Sequence, residues 1–577
     1  MLDYLIKGGT IVDGTGAARY RGDVGIKDGR ITAVGNVDQA AKETIDASGL
    51  VVAPGFVDIH THYDAQVFWD PALSPSCYHG VTSMFAGNCG FSVAPLTAEG
   101  SDYLMRMLAR VEGMPLQSLR DGVPWNWTSF GSYLERVQEQ QPAVNIGFLV
   151  GHSALRRAVM GAAAVDQPAT PQQLAAMQQL LHQSLAEGGM GFSSSQAPTH
   201  NDGGGHPVPS RAADGGELIA LSSCLRDHPG TLLEFIPTVG PFEEKHMQLM
   251  TDMSLAAQRS LNWNVLIVNT GARAIFENQI QAADYAAARG ATIRALTFAQ
   301  PVSLRLNLLS GFGLDALPGW AAVLGLPVPE RMRALADPAT RARMIESAAH
   351  PDVPVLLRAM GNFSAMTIEQ TFAPATKAYQ GRALAEVAAE RGQSAADAFF
   401  DIALADELRT CFLPRLGGDD AESWALRGAM WKDPRTLVGA SDAGAHLDMI
   451  DTFAFSTTVL GDGVRKRGLL TLEEGVHQIT DLPARFMGLK ERGRIAQGWH
   501  ADLVVFDPER VGKGRMDMRF DLPGGAGRLY CEAEGIHQVM VNGTVIVRDN
   551  QLTGQRPGLV LHSGRDTETV PIPAASG

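Results

Sequence analysis

Eight short apolar runs, several of them separated by helix-patterned stretches, constrain this chain more than any other feature. They are VVAPGFVDI (51–59), SMFAG (83–87), NIGFLV (145–150), GMGFSS (189–194), TLLEFIP (231–237), NVLIVN (264–269), TIRALTF (292–298) and TLVGAS (436–441). Segments such as QQLAAMQQLLHQSLAEG and QIQAADYAAARG supply helices between them. Strands buried on both faces read as continuous apolar runs, and strands alternating with helices favour a parallel sheet. Eight strand–helix units are the requirement of a (β/α)8 barrel, so the expected fold class is α/β with a TIM-like barrel.

The two ends of the chain have another texture. LIKGGTIVD, GDVGIKDGRITAVG and TIDASGLVVAP near the start alternate apolar and polar residues around Gly and Asp, and RGRIAQGWHADLVVFD and HQVMVNGTVIVRDNQLTG repeat the pattern near the end. VNGTVIV carries Asn-Gly between apolar runs, a strong hairpin signal. Residues 1–54 and 485–577 are therefore expected to build one small β-sandwich domain from both termini, with the barrel over 55–484; two separate β appendages are the alternative. Connections at about 96–144, with its Trp-rich VPWNWTSF, and about 300–435 are too long for simple crossovers. Insertions after barrel strands sit where active sites form, so both are expected as lids or substrate walls; an insertion that only stabilises an oligomer is the alternative.

The formal charge of −14 comes from 62 acidic against 48 basic residues with no basic stripe, which argues against a nucleic-acid binder. The five cysteines are scattered and odd in number, so no disulfide scaffold is expected and a reducing compartment is. No basic n-region precedes a long apolar run at the start, and no uninterrupted apolar stretch of about 18 residues occurs, so a cytoplasmic protein without a membrane span is expected. The size invites a homo-oligomer, though no motif specifies one.

The chemistry is carried at strand ends. In PGFVDIHTHYD, His60 and His62 stand two apart, and period two points both imidazoles to one face at the expected barrel mouth. Two converging imidazoles suit a divalent metal, usually zinc; two hydrogen-bonded histidines without metal are the alternative. In AGNCGFSVAP, Cys89 lies where a strand becomes a loop, as a soft metal ligand or as a small buried hydrophobe. In VGASDAGAH, Asp442 projects into the same mouth, to bind metal and shuttle a proton, or merely to cap a helix. His446 stands four residues on, as a substrate-orienting or a structural histidine.

These segments, with GHSALRRAVMG (151–161) and the tail RGRIAQGWHADLVVFDP, resemble the metal-dependent amidohydrolase superfamily, and within it the D-aminoacylase branch of N-acyl-D-amino-acid deacylases. The resemblance runs from about residue 3 to 560 and is loosest over 300–430. It implies a distorted (β/α)8 barrel with a small β-sandwich, His60 and His62 as metal histidines, Cys89 as the branch's cysteine ligand and Asp442 as catalytic acid/base. It implies a small-molecule substrate, an N-acyl-amino acid cleaved at a non-peptide C–N bond to a carboxylate and an amine.

Two departures stand out. The branch places metal histidines at the ends of strands five and six; here those strands read LLEFIPT and LIVNTG, and the nearest polar residues are Glu234 and Asn269. A carboxylate in an apolar strand is costly to bury unpaired, so Glu234 is offered as a ligand and Asn269 as a substrate contact. One or two zinc ions are expected, the first guess being one, on His60, His62 and Asp442 with Cys89 or Glu234. His152 and Gln300 are further substrate-contact candidates. His200 or His206 could replace a missing ligand, Arg211 could hold a carboxylate, and Tyr63 and Asp64 could orient the histidines. A cyclic amide, carbamate or ester substrate, or a non-catalytic scaffold, remains the alternative reading.

Overall fold

The computed structural model describes residues 1–97, 99–353 and 355–572. The chain divides into two compact units. One comprises Met1–Gln300, Asp420–Leu447 and Thr452–Gly577; the other comprises Pro301–Asp419 and Asp448–Asp451.

In the larger unit the two ends of the chain share one nine-stranded sheet. Val51–Pro54 pairs in parallel with Leu2–Ile11 and antiparallel with Leu503–Phe506, Ala53 facing Val504. This register stitches the N-terminal strands to the C-terminal ones. The expected hairpin forms: Val541 faces Thr544 across Asn542 and Gly543, both at positive φ (46° and 75°). Ile6, Ile11, Val24, Ile26, Leu503 and Val505 bury one face.

Each of the eight apolar runs holds or overlaps a strand of the larger unit. VVAPGFVDI is not one strand but two in different sheets, Val51–Pro54 and Phe56–Asp58. Gly55 is the joint: a Cβ there would lie 2.0 Å from the Thr82 Oγ1, so only glycine passes. Phe56–Asp58, Val81–Ala86 and Asn145–Phe148 form a parallel three-stranded sheet. One residue later Val150–Gly151 opens a parallel six-stranded sheet that continues through Gly191–Ser195, Leu232–Ile236, Leu261–Leu266, Ile293–Phe298 and Thr436–Gly439. Helices Pro171–Ala186, Gly215–Ser223, Glu244–Ala257 and Ala421–Lys432 lie between strands. Thr170 begins the first of these with a capping box and Pro171. Just past the first and last strands, Thr61 bridges Ala443 in parallel, the His62 N–H donates to the Ala443 carbonyl (2.7 Å), and the Asp442 N–H donates to that of His60 (3.1 Å).

The smaller unit occupies much of the expected 300–435 insertion but ends at Asp419, because Ala421–Lys432 is a helix of the larger unit. It has its own core around Leu306, Trp320, Phe363, Phe399, Phe400 and Phe412.

Candidate functional site

His60 and His62 lie just past the strand Phe56–Asp58, with Thr61 between them. Thr61 anchors to the neighbouring strand, its N–H and its hydroxyl both donating to the Phe85 carbonyl (3.0 and 2.8 Å). The alternation turns both imidazoles the other way, ring centroids 5.3 Å apart and nearly perpendicular. Cys89 sits in the turn Asn88–Gly90 at φ 59°, and three contacts pin that turn. The Gly87 N–H donates to Asp64 (3.1 Å), the Asn88 amide to the Thr61 carbonyl (3.1 Å) and the Cys89 N–H to Glu234 Oε2 (2.7 Å). The loop carrying Asp442 runs against His62: a Cβ on Gly444 would lie 2.7 Å from the His62 carbonyl carbon. Cys89, Ala440, Asp442 and His446 all hold positive φ (59°, 50°, 52° and 47°). Such conformations in non-glycine residues cost about 1–3 kcal/mol each and cluster at functional sites.

Four donor atoms converge here. His62 Nε2 lies 3.1 Å and His60 Nε2 3.6 Å from Asp442 Oδ1. Cys89 Sγ lies 3.5 Å from His60 Nε2 and 3.8 Å from His62 Nε2. Tetrahedral N, O and S ligands at ordinary zinc bond lengths stand roughly 3.3–3.6 Å from one another. The donor set and its spacing therefore fit a divalent metal.

The electrostatics agree. Burial would raise the Asp442 carboxyl, but hydrogen bonds from His60 and His62 hold it well below the usual carboxylate range. Burial would lower His62, but Glu112, Asp442 and Asp64 raise it to about 9. Burial lowers His60 against the pull of Asp442. The Glu112 and Glu234 carboxyls are each pushed up to about 8, first by burial. The Cys89 thiol is driven well above its ordinary value by burial and then by Glu234, Glu112, Asp442 and Asp64. Neither Lys nor Arg is among the described residues lining the pocket, so a bound cation would relieve this crowding of acidic groups.

The structure brings His60, His62, Cys89 and Asp442 together; the other residues singled out in the sequence have different places. Glu234 lies beside the site but braces it: Oε2 accepts from the Cys89 amide, Oε1 from Asn264 Nδ2. It belongs to neither group of converging metal-ligand atoms among the described residues. His446 lines the pocket, its Nε2 4.0 Å from Asp442 Oδ2. His200 also lines it, its Nδ1 2.8 Å from the Ser195 hydroxyl. Burial, then His62, lower its pKa to about 3, which keeps the ring neutral. Tyr63 bonds Ser76 (2.8 Å) rather than either histidine. Arg211 donates to the His200 carbonyl and to Asn201 Oδ1.

Three candidate substrate contacts do not line this pocket. Asn269 lies beyond the sixth strand, which spans Leu261–Leu266 and not 264–269. Its Oδ1 caps the next turn by accepting from the Ala272 N–H (2.8 Å), the usual work of an N-cap asparagine. Asn269→Ala should cost about 1 kcal/mol in a denaturant titration and leave metal affinity unchanged. Gln300 is buried, its Oε1 accepting from the Thr458 hydroxyl (3.2 Å). His152 begins a helix and is fully buried, Nδ1 2.8 Å from Ser194 Oγ and Nε2 2.8 Å from Glu217 Oε1. Arg156 also meets that carboxylate (2.6 and 2.5 Å), so His152 belongs to a buried ion-pair network. Glu217→Ala strands the Arg156 charge in the interior and should destabilise by about 3–5 kcal/mol, read as a lower unfolding midpoint.

Two pocket residues escape a reading of the sequence. Asn264 is the polar residue that the sixth strand actually offers; the apolar pattern puts it at the start of that strand rather than in its site-facing part. Glu112 caps the helix Ser101–Val111 within the 96–144 insertion and is 3% exposed. Nothing in Val-Glu-Gly distinguishes it from a surface glutamate.

The chain is similar to known proteins over most of its length. The amidohydrolase family model matches residues 43–547. D-aminoacylase of Alcaligenes xylosoxydans xylosoxydans is 30% identical over 566 residues, 97% of each chain. A solved D-aminoacylase, studied for its binuclear metal center, one-metal activation and second-metal attenuation, superposes with a TM-score of 0.65 at 27% identity, covering 97% of this chain and 100% of that one. N-acyl-D-glutamate deacylase from Bordetella bronchiseptica, with zinc and a phosphonate mimic of the tetrahedral intermediate, gives 0.64 at 26% identity, covering 97% and 99%. With a histidine pair, a cysteine and an aspartate converging at the strand ends, and a family match that spans most of its length, this chain belongs to the amidohydrolase family.

Proposed function

We propose that this protein deacylates N-acyl-D-amino acids, hydrolysing a non-peptide amide to a carboxylate and an amine with the help of zinc. The observation that carries the reading is that Cys89 Sγ and Asp442 Oδ1 each lie within 3.8 Å of both His60 Nε2 and His62 Nε2 in one pocket. Nitrogen, sulfur and a single carboxylate oxygen form a donor set suited to zinc. With Glu234 and Asn264 bonded to each other on the fifth and sixth strands, and no histidine at the end of either, one ion is the expected occupancy.

A divalent ion held there supplies a Lewis acid for the amide carbonyl and lowers the pKa of water. Asp442 does the proton work: it is a quarter exposed toward the pocket, and its carboxyl is held ionised beside His60 and His62. It takes the proton of the attacking water and returns it to the leaving nitrogen. Neutral His200 stands on the pocket wall to hold the carbonyl oxygen, and His446 beside it contacts the substrate. Ile236, Val239, Ile267 and Phe298 give that wall an apolar surface for the rest of the substrate.

The parallel order of the nine strands in the three- and six-stranded sheets, with Asn145–Phe148 and Val150–Gly151 sharing one of eight positions, and the Thr61–Ala443 bridge support a closed (β/α)8 barrel, with the nine-stranded sheet as part of a β-sandwich. Five free, buried cysteines support a cytoplasmic setting. The test is a kinetic panel of N-acyl-D-amino acids, their L-enantiomers and cyclic amides. Turnover of the D-series is expected, and turnover of cyclic amides alone would replace the deacylase reading.

A further inference from the structure

Glu112 supplies none of the four donor atoms above, but its carboxyl oxygen lies within 4.8 Å of ligand atoms of His62 and Asp442, and the residue touches two of the elements that carry the four. Its Oε1 stands 3.5 Å from His62 Nδ1, the buried ring nitrogen opposite the one that faces Asp442; that Nδ1 has no other partner and no formed hydrogen bond among the described residues. Its backbone carbonyl accepts from the His446 N–H (2.5 Å), and His446 ends the loop that begins at Asp442. The residue sits at the C-cap of Ser101–Val111, a helix held in the core by Leu104, Met107 and Leu108. Burying a carboxyl there is costly, and no Lys or Arg among the described residues lines the pocket to compensate it. Metal-bound imidazoles commonly present their second nitrogen to a carboxylate, which fixes the ring and strengthens the ligand.

We propose that Glu112 is a positioning residue of the metal site, orienting His62 through Nδ1 with its carboxyl while its carbonyl anchors the Asp442 loop. The 96–144 insertion is then an integral part of the metal site. Glu112→Gln keeps the shape of the side chain, replaces the carboxyl that faces His62 Nδ1 with an amide, and leaves the backbone bond to His446 in place.

The inference rests on the metal reading, and the experiment separates the two. Zinc dissociation constants are measured on the full chain by competition with a chromophoric chelator, beside the melting temperature of the metal-free protein. Glu112→Gln is expected to weaken zinc binding 10–100-fold without lowering the metal-free melting temperature. The cobalt-substituted variant is expected to keep the visible band intensity of the parent, since no ligand is lost. Equal zinc affinity in parent and variant overturns the role of Glu112 while leaving the metal site intact. A loss of affinity matched by a loss of metal-free stability also overturns it, and a collapse of the cobalt bands would make Glu112 a ligand instead. No zinc bound by the parent sinks the metal reading itself. Glu112→Met, similar in length, serves if the Gln variant does not fold.

Discussion

Asp442→Asn is expected to yield a folded protein whose turnover falls at least about 10²–10⁴-fold, the usual contribution of a positioned acid/base group. The substitution keeps the shape of the side chain and its place at φ 52°, a backbone region that Asn tolerates as well as Asp. It removes the negative charge that faces His60 and His62 and the oxygen that accepts and returns the proton. Steady-state kinetics on the preferred amide, with circular dichroism to verify the fold, checks this. Undiminished turnover would remove Asp442 from the proton path. A fall in kcat with little change in KM is expected, because the carboxylate acts on the reacting atoms more than on the bound substrate.

The second large effect is expected from His60→Ala/His62→Ala. These rings supply two of the four converging atoms, and the remaining Cys89 Sγ and Asp442 Oδ1 cannot enclose a cation alone. The double variant should lose metal and fall to the background rate, with no rescue by zinc added to the assay. Removing the rings also leaves Glu112, Glu234 and Asp442 close together without their basic neighbours. Burial first, and then their mutual repulsion, penalise the ionised carboxyls, so the variant should be less stable at neutral than at mildly acidic pH, where they are protonated. A thermal melt at the two pH values reads that sign. Retained zinc and turnover in this variant would place the metal elsewhere.

How much of the site is legible in the sequence depends on how local each signal is. His60 and His62 share one strand end, and period two alone puts them on one face. Cys89 and Asp442 lie just beyond strands, inside short glycine-bearing turns that the chain must make to approach its neighbours. These four need no distant contact to be noticed. Glu112 is defined by a contact 50 residues back in the chain and by a helix end that packing alone places. The sixth strand is easily misplaced because LNWNVLIV is apolar on both sides of its true end, which hides Asn264 and promotes the capping Asn269. His152 stands near a strand end as expected, but Glu217, 65 residues further on, draws it into the interior. The nine-stranded sheet is legible as texture at both ends, while the break of VVAPGFVDI into two sheets depends on Thr82 closing against Gly55.

The most direct test of the account is metal content per chain, by elemental mass spectrometry, on freshly purified protein and on His60→Ala/His62→Ala prepared alongside. The account predicts about one zinc per chain in the parent and none above background in the variant. A parent that binds no divalent metal even when zinc is supplied, or a variant that keeps it, would contradict the account.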